Sequence, residues 1–255
     1  MTAGSADSTP SPAEREAARE RLRAVQARID AAARRAGRDP AEVTLVGVAK
    51  KQPLERTLAG IYAGVRVLGQ SYVQEAREVR PAVEAALASD PETADLRLEW
   101  RMVGRLQRNK VSLAVRLFDA IESVDRPKLI ESLARRAESE GRRLDVLIQT
   151  SLCGEPQKGG CEPDDLPALA RQVLACSGLR LAGLMTVPSA SPDPEASRPV
   201  FRRLRGLRAE LATIEPELAS CALSMGMSGD LEVAIEEGAT LVRVGTALFG
   251  ERPTT

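Results

Sequence analysis

An apolar run over residues 43 to 49, VTLVGVA, ends on two lysines and is stopped by a proline, KKQP. An amine in that position can do carbonyl chemistry. With a reference pKa of about 10.4 it is protonated near neutral pH, and only the neutral form attacks an aldehyde or ketone. Desolvation along an apolar approach, or a neighbouring cation such as Arg243, pushes a lysine towards that form. In a strand alternate side chains share a face, so Thr44, Val46, Val48 and Lys50 point one way and Leu45, Gly47, Ala49 and Lys51 the other. Lys50 is the amine aligned with Val46 and Val48.

Two later loops could meet it. LSMGMSGD (223 to 230) and VRVGTALFG (242 to 250) carry small residues, hydroxyls and unblocked backbone amides, which suit an oxyanion. An amine facing a phosphate cradle suggests a Schiff-base cofactor. The chain holds no histidine, which excludes Ser-His and Cys-His nucleophile pairs, HExxH zinc sites and histidine-ligated iron. Cys153, Cys161, Cys176 and Cys221 form no CxxC pair and no zinc spacing, so reduced thiols and no metal are expected. The 36 basic residues balance the 36 acidic ones, giving no reason to expect nucleic acid or a membrane surface as partner.

The elements that must position these residues alternate. Strand-type runs fall near 43–49, 66–69, 98–104, 118–123, 144–151, 180–187, 221–224 and 240–244, with helical patterns between most of them. Eight such units in 255 residues predict an α/β fold, a single (β/α)8 TIM-type barrel. A doubly wound sheet competes, but the chain carries no GxGxxG or P-loop pattern. The barrel places Lys50 and the two polar loops at the C-terminal mouth of the strands, where active sites of this fold lie. An additional N-terminal helix is expected over about 12–37, its stripe of Leu22, Val25, Ile29 and Ala33 covering the gap left where no long helix follows the eighth strand. Residues 1–11 read as a disordered tail and 12–255 as one domain; with no apolar run of membrane length and no signal-peptide pattern, a cytoplasmic protein is expected.

In order, VAKKQP with Lys50, LGQSYVQE (68–75), WRMVGRLQRNK (100–110), VLIQTSLCGEPQKGG (146–160), LAGLMTVP (181–188), LSMGMSGD and VRVGTALFG resemble the motifs of the YggS-type pyridoxal phosphate homeostasis proteins, over about residues 12 to 250. The resemblance implies a barrel like the N-terminal domain of alanine racemase. It implies pyridoxal phosphate (PLP) carried on a lysine, supply and buffering of that cofactor, and no robust enzyme activity. Lys50 matches the Schiff-base lysine. Ser224 and the pair Gly245 and Thr246 match the phosphate cradle, with Met225 and Gly226 shaping its loop. Arg243 matches the partner of the pyridine nitrogen, and Met185 a pocket wall. PLP-requiring apo-enzymes are the implied recipients, and a monomer is expected.

The chain departs from the family pattern in places. Where the family reads GENYVQE this chain has Gln70 and Ser71, so a shorter hydroxyl at Ser71 replaces an amide expected near the cofactor. Arg101 stands in place of the histidine of WHFIG, and Ser151 in place of an asparagine. Two other readings stay open. A fold-type III amino-acid racemase needs a second base, for which Tyr72 is the candidate near a strand end, and a cofactor-independent Schiff-base aldolase would use Lys50 alone.

Overall fold

The computed structural model describes residues 9–252. Of the expected tail 1–11, residues 1–8 lie outside the described residues. Ser11 already belongs to a helix start. Its Oγ accepts from the Glu14 N–H at 3.3 Å while Glu14 Oε2 accepts from the Ser11 N–H at 2.8 Å, a capping box followed by Pro12 at the first helical position.

That helix, α1 (Pro12–Arg35), precedes an unbroken alternation: β1 (Thr44–Val48), α2 (Leu54–Ala63), β2 (Val67–Gln70), α3 (Val73–Ala88), β3 (Glu99–Met102), α4 (Val111–Leu117), β4 (Ala120–Val124) and α5 (Pro127–Ser139). It continues with β5 (Leu144–Gln149), α6 (Leu166–Leu174), β6 (Leu179–Met185), α7 (Arg198–Ala212), β7 (Ala222–Ser224), α8 (Leu231–Glu236), β8 (Leu241–Val244) and α9 (Thr246–Phe249). The eight strands pair in parallel in chain order and close into a barrel, as expected, with β8 joined to β1 from Thr44↔Leu241 to Gly47↔Val244.

Closure leaves a seam, because α9 is a single turn. The helix α1 packs against α2, α8 and α9 there, burying Val25, Ile29, Ala32 and Ala33. Phe249 of α9 lies so close to β1 and α2 that a Cβ on Gly47 would meet its ring at 3.1 Å and one on Gly60 at 2.6 Å. Only glycine permits that approach.

Outward positions form the main core between barrel and helices, where Leu68, Trp100, Ile121, Val146, Leu184 and Val242 lie. Inward positions form a smaller cluster of Val46, Leu147, Met185 and Leu241. A register shift against β5, where Val146 pairs with Leu181 but Leu147 with Gly183, places an extra residue in β6, so Leu181 and Leu184 both join the outer core while Ala182 and Met185 pack inside the barrel. The interior also holds buried polar residues, Arg101, Glu122, Ser224 and Arg243 among them, and these bear on the site.

Candidate functional site

Six strand ends and the loops after them enclose a cavity of about 420 Å³ at the C-terminal mouth. Val48 and Lys50 come from β1 and the turn after it, Ser71 follows β2, Val103 and Val187 follow β3 and β6, Met227, Ser228 and Gly229 follow β7, and Arg243, Gly245, Thr246 and Arg252 belong to β8 and beyond. Clefts of about 410 and 550 Å³ open at the opposite face, near Thr44 and Val67 and near Leu179 and Ala222, but neither has a lysine in its wall. That face serves stability in this fold.

Lys50 leaves β1 on a tight turn in which the Gln52 N–H donates to the Ala49 carbonyl at 3.0 Å. The side chain is half-buried, and Nζ lies 5.4 Å from the centroid of the Tyr72 ring, within cation–π range. Tyr72 itself is 49% exposed and takes no part in the cavity wall. Of the other lysines, Lys51 is exposed, Lys110 lines a neighbouring cleft with Arg105, and Lys158 donates to Glu155 Oε1 and to the Pro188 carbonyl, each at 2.8 Å.

Arg243 sits at the cavity floor, 5% exposed. Its Nη1 donates to Ser224 Oγ at 2.7 Å and its Nη2 to the Thr186 carbonyl at 2.9 Å. Ser224 Oγ in turn donates to Glu122 Oε2 at 2.5 Å, and Glu122 Oε1 accepts from Arg101 Nη1 at 2.9 Å. Arg101 Nε completes the chain on Glu99 at 2.8 Å. Opposite charges thus alternate through the barrel, from the mouth to the N-terminal cleft that Arg101 helps to line. Burial pushes the Arg243 pKa down, against the attraction of Glu122 and Asp230. Burial acts the same way on Arg101, yet Glu122 and Glu99 outweigh it and hold its pKa up. The difference has a cause: Arg101 touches carboxylates directly, Arg243 only a hydroxyl and a carbonyl. Guanidinium remains charged in both.

The structure brings Lys50, Ser71, Arg243, Gly245 and Thr246 onto one cavity. It places Ser224, Met225, Gly226 and Met185 elsewhere. Ser224 is wholly buried with its hydroxyl held by Arg243 and Glu122, Met225 belongs to the outer core, and Met185 lies inside the barrel with Val46 and Leu147. Gly226 has φ +90° and sits where a Cβ would be 2.5 Å from Ala234, so it reverses the chain and delivers Ser228 and Gly229 to the cavity. Ser228 is the hydroxyl that the sequence reading passed over. Its signal was the second serine of SMGMSGD. Two anchors hold that loop: Asp230 Oδ1 accepts from the Met227 N–H at 2.7 Å, and Arg28 of α1 donates to the Ser228 carbonyl at 2.8 Å and grips Glu232 with two bonds.

Glu122 is the second residue that sequence reasoning missed. It accounts for one departure, since Arg101 in the histidine position finds its charge partner there. Gln70 is fully buried with neither amide atom hydrogen-bonded, and the Ser151 N–H pairs with the Cys161 carbonyl at 2.8 Å.

Comparison with known proteins agrees with this fold. The family model for the alanine racemase N-terminal domain matches residues 21–253. A pyridoxal phosphate homeostasis protein of Pseudomonas aeruginosa is 42% identical over 233 residues, 91% of this chain and 95% of that protein. One from Aquifex aeolicus is 43% identical over 233 residues, 91% and 97% of the two chains. Among solved structures, PipY of Synechococcus elongatus with PLP bound matches with a TM-score of 0.76 at 34% identity, covering 91% of this chain and all of PipY. The chain belongs to the alanine racemase N-terminal domain family and, within it, to the pyridoxal phosphate homeostasis proteins.

Proposed function

We propose that this protein binds pyridoxal phosphate at Lys50 and serves the homeostasis of that cofactor, holding it and releasing it to enzymes that need it. The observation that carries the reading is the meeting of the Lys50 amine, the buried Arg243 guanidinium and the Ser228 and Thr246 hydroxyls in one cavity at the barrel mouth.

This donor set fits the cofactor. When bound, PLP supplies an aldehyde that an amine holds through a reversible covalent bond. Lys50 would hold that end. Ser228, Thr246 and the backbone at Gly229 and Gly245 would hold the phosphate, as small residues and free amides suit an oxyanion. Val48, Val103 and Val187 would flank the ring. Arg243 would face the ring nitrogen, and a cation there keeps that nitrogen unprotonated and the ring a weaker electron sink.

The same features favour a carrier over a catalyst. Met227 and Thr246 are exposed at the mouth, so the cavity meets water, which weakens electrostatic stabilisation of a carbanion and lets cofactor exchange. Tyr72, the candidate second base, lies outside the cavity wall. Among the described residues no helix is long and apolar enough to cross a membrane, and we place the carrier in the cytoplasm as a monomer. The test pairs transfer of cofactor to a PLP-requiring apo-enzyme with deuterium uptake at the α-carbon of L-alanine in heavy water. Transfer with negligible uptake is expected. Rapid uptake with inversion, abolished by Lys50→Ala, would make the protein a racemase.

A further inference from the structure

Lys51 has φ 55° and is the one non-glycine residue with positive φ among the described residues. It occupies the third position of the Ala49–Gln52 turn, where a left-handed φ normally selects glycine or asparagine. Such backbone persists only when its surroundings impose it. Three anchors impose it here. The Ala49 N–H donates to the Gly69 carbonyl at 3.1 Å, and Gln52 Nε2 donates to the Gly250 carbonyl at 3.0 Å. Between them the Lys51 N–H donates to Glu75 Oε1 at 2.5 Å.

Glu75 lies in the first turn of α3, at the third helical position after Tyr72, which caps the helix with no side-chain bond. A glutamate there ordinarily turns back to its own helix start to complete a capping box. This one reaches across to the β1 turn, while its Oε2 is buried without a partner.

We infer that Glu75 is a positioning residue: by accepting the Lys51 N–H it holds the turn in its left-handed form and aims the preceding side chain, Lys50, into the cavity. The inference rests on the reading of Lys50 as the cofactor-binding amine. Tyr72 lies beside Lys50 Nζ, so one segment, from Tyr72 to Glu75, fixes both the direction of the amine and its surroundings.

The experiment measures borohydride trapping of PLP on Lys50 by mass spectrometry, beside amide hydrogen exchange at Lys51. Glu75→Ala should deprotect the Lys51 amide and slow trapping about tenfold, the scale set by one strained backbone position. Glu75→Gln, which keeps an acceptor oxygen, should trap at close to the wild-type rate. Adding Lys51→Gly to Glu75→Ala should restore trapping, because glycine takes positive φ without help. Lys51→Val with Glu75 intact should be slow, since a β-branched residue resists that φ, and it serves if Glu75→Ala fails to fold. Wild-type trapping in Glu75→Ala, or slow trapping that Lys51→Gly leaves unchanged, would overturn the proposal. If the wild type trapped no cofactor, the functional reading would fall. The clamp would then be judged by exchange, and a Lys51 amide as unprotected in wild type as in Glu75→Ala would refute it.

Discussion

Arg243 and Glu122 are joined through a single hydroxyl: Ser224 Oγ accepts from the guanidinium at 2.7 Å and donates to the carboxylate at 2.5 Å. All three residues are buried, and Glu122 and Ser224 expose no surface at all. Ser224 is therefore part of the internal charge chain. Ser224→Ala should cost about 1–3 kcal/mol, the penalty for leaving buried polar groups unpaired. A lowered Tm in the cofactor-free protein would register it. A variant with unchanged Tm and weakened cofactor binding would return Ser224 to the phosphate site.

Glu122 stands between two cations, Arg101 directly and Arg243 through the serine. Glu122→Ala leaves Arg101 with Glu99 alone and takes from Arg243 the carboxylate it reaches through Ser224, and removing one partner of a buried ion pair costs about 3–5 kcal/mol. Urea unfolding should show a loss of that size, larger than for Ser224→Ala. A loss below 1 kcal/mol, on the order of an exposed ion pair, would mean that water reaches the interior freely.

Ser228 and Thr246 predict the opposite pattern. Neither is buried, so replacing both by alanine should leave the Tm of the cofactor-free protein in place. Hydrogen bonds to a charged group contribute about 1.5–3 kcal/mol each, so the double variant should bind PLP at least about a hundredfold more weakly. Equilibrium titration checks this, and unchanged affinity would leave the phosphate to backbone amides alone.

Acid stability should depend on Glu237. It lies under Arg198, Arg202 and Arg205, with ion-pair distances of 3.2, 2.9 and 3.1 Å. Burial alone would raise its pKa, but hydrogen bonds from Arg202 and Arg198 and the nearby charges hold it below the ordinary glutamate value of 4.5. A depressed folded pKa means that the unfolded chain binds the proton first as pH falls. The contribution is present above pH 4.5 and is lost as pH drops from there through the folded pKa. Glu232 and Glu236 are shifted in the same direction. Thermal stability should thus fall on acidification below that value, with a shallower slope in Glu237→Gln. Equal slopes in the two proteins would place the acid-sensitive groups elsewhere.

The barrel was legible in sequence because most strands are short, largely apolar runs set between helical patterns, and a parallel sheet covered by helices requires that alternation. The alternation of β1 pointed to Lys50 as the lysine in the row of Val46 and Val48, but the strand ends at Val48 and it is the turn after it that delivers the amine to the cavity. Long-range contacts were not legible. Glu122 reads as an ordinary acid in AIESVDR, and its role appears only when folding sets it against Arg101 and Ser224, 21 and 102 residues away in sequence. That Ser228 lines the cavity and Ser224 does not turns on the positive φ of Gly226, which no hydrophobic pattern records.

The most direct test of the account is to load the purified protein with PLP, reduce it with borohydride and map the modified peptide by mass spectrometry. One pyridoxyl group per chain, on Lys50 and absent from Lys50→Ala, is the result the account predicts. Label on Lys51, Lys110 or Lys158 with Lys50 unmodified, or no label on any lysine, would contradict it.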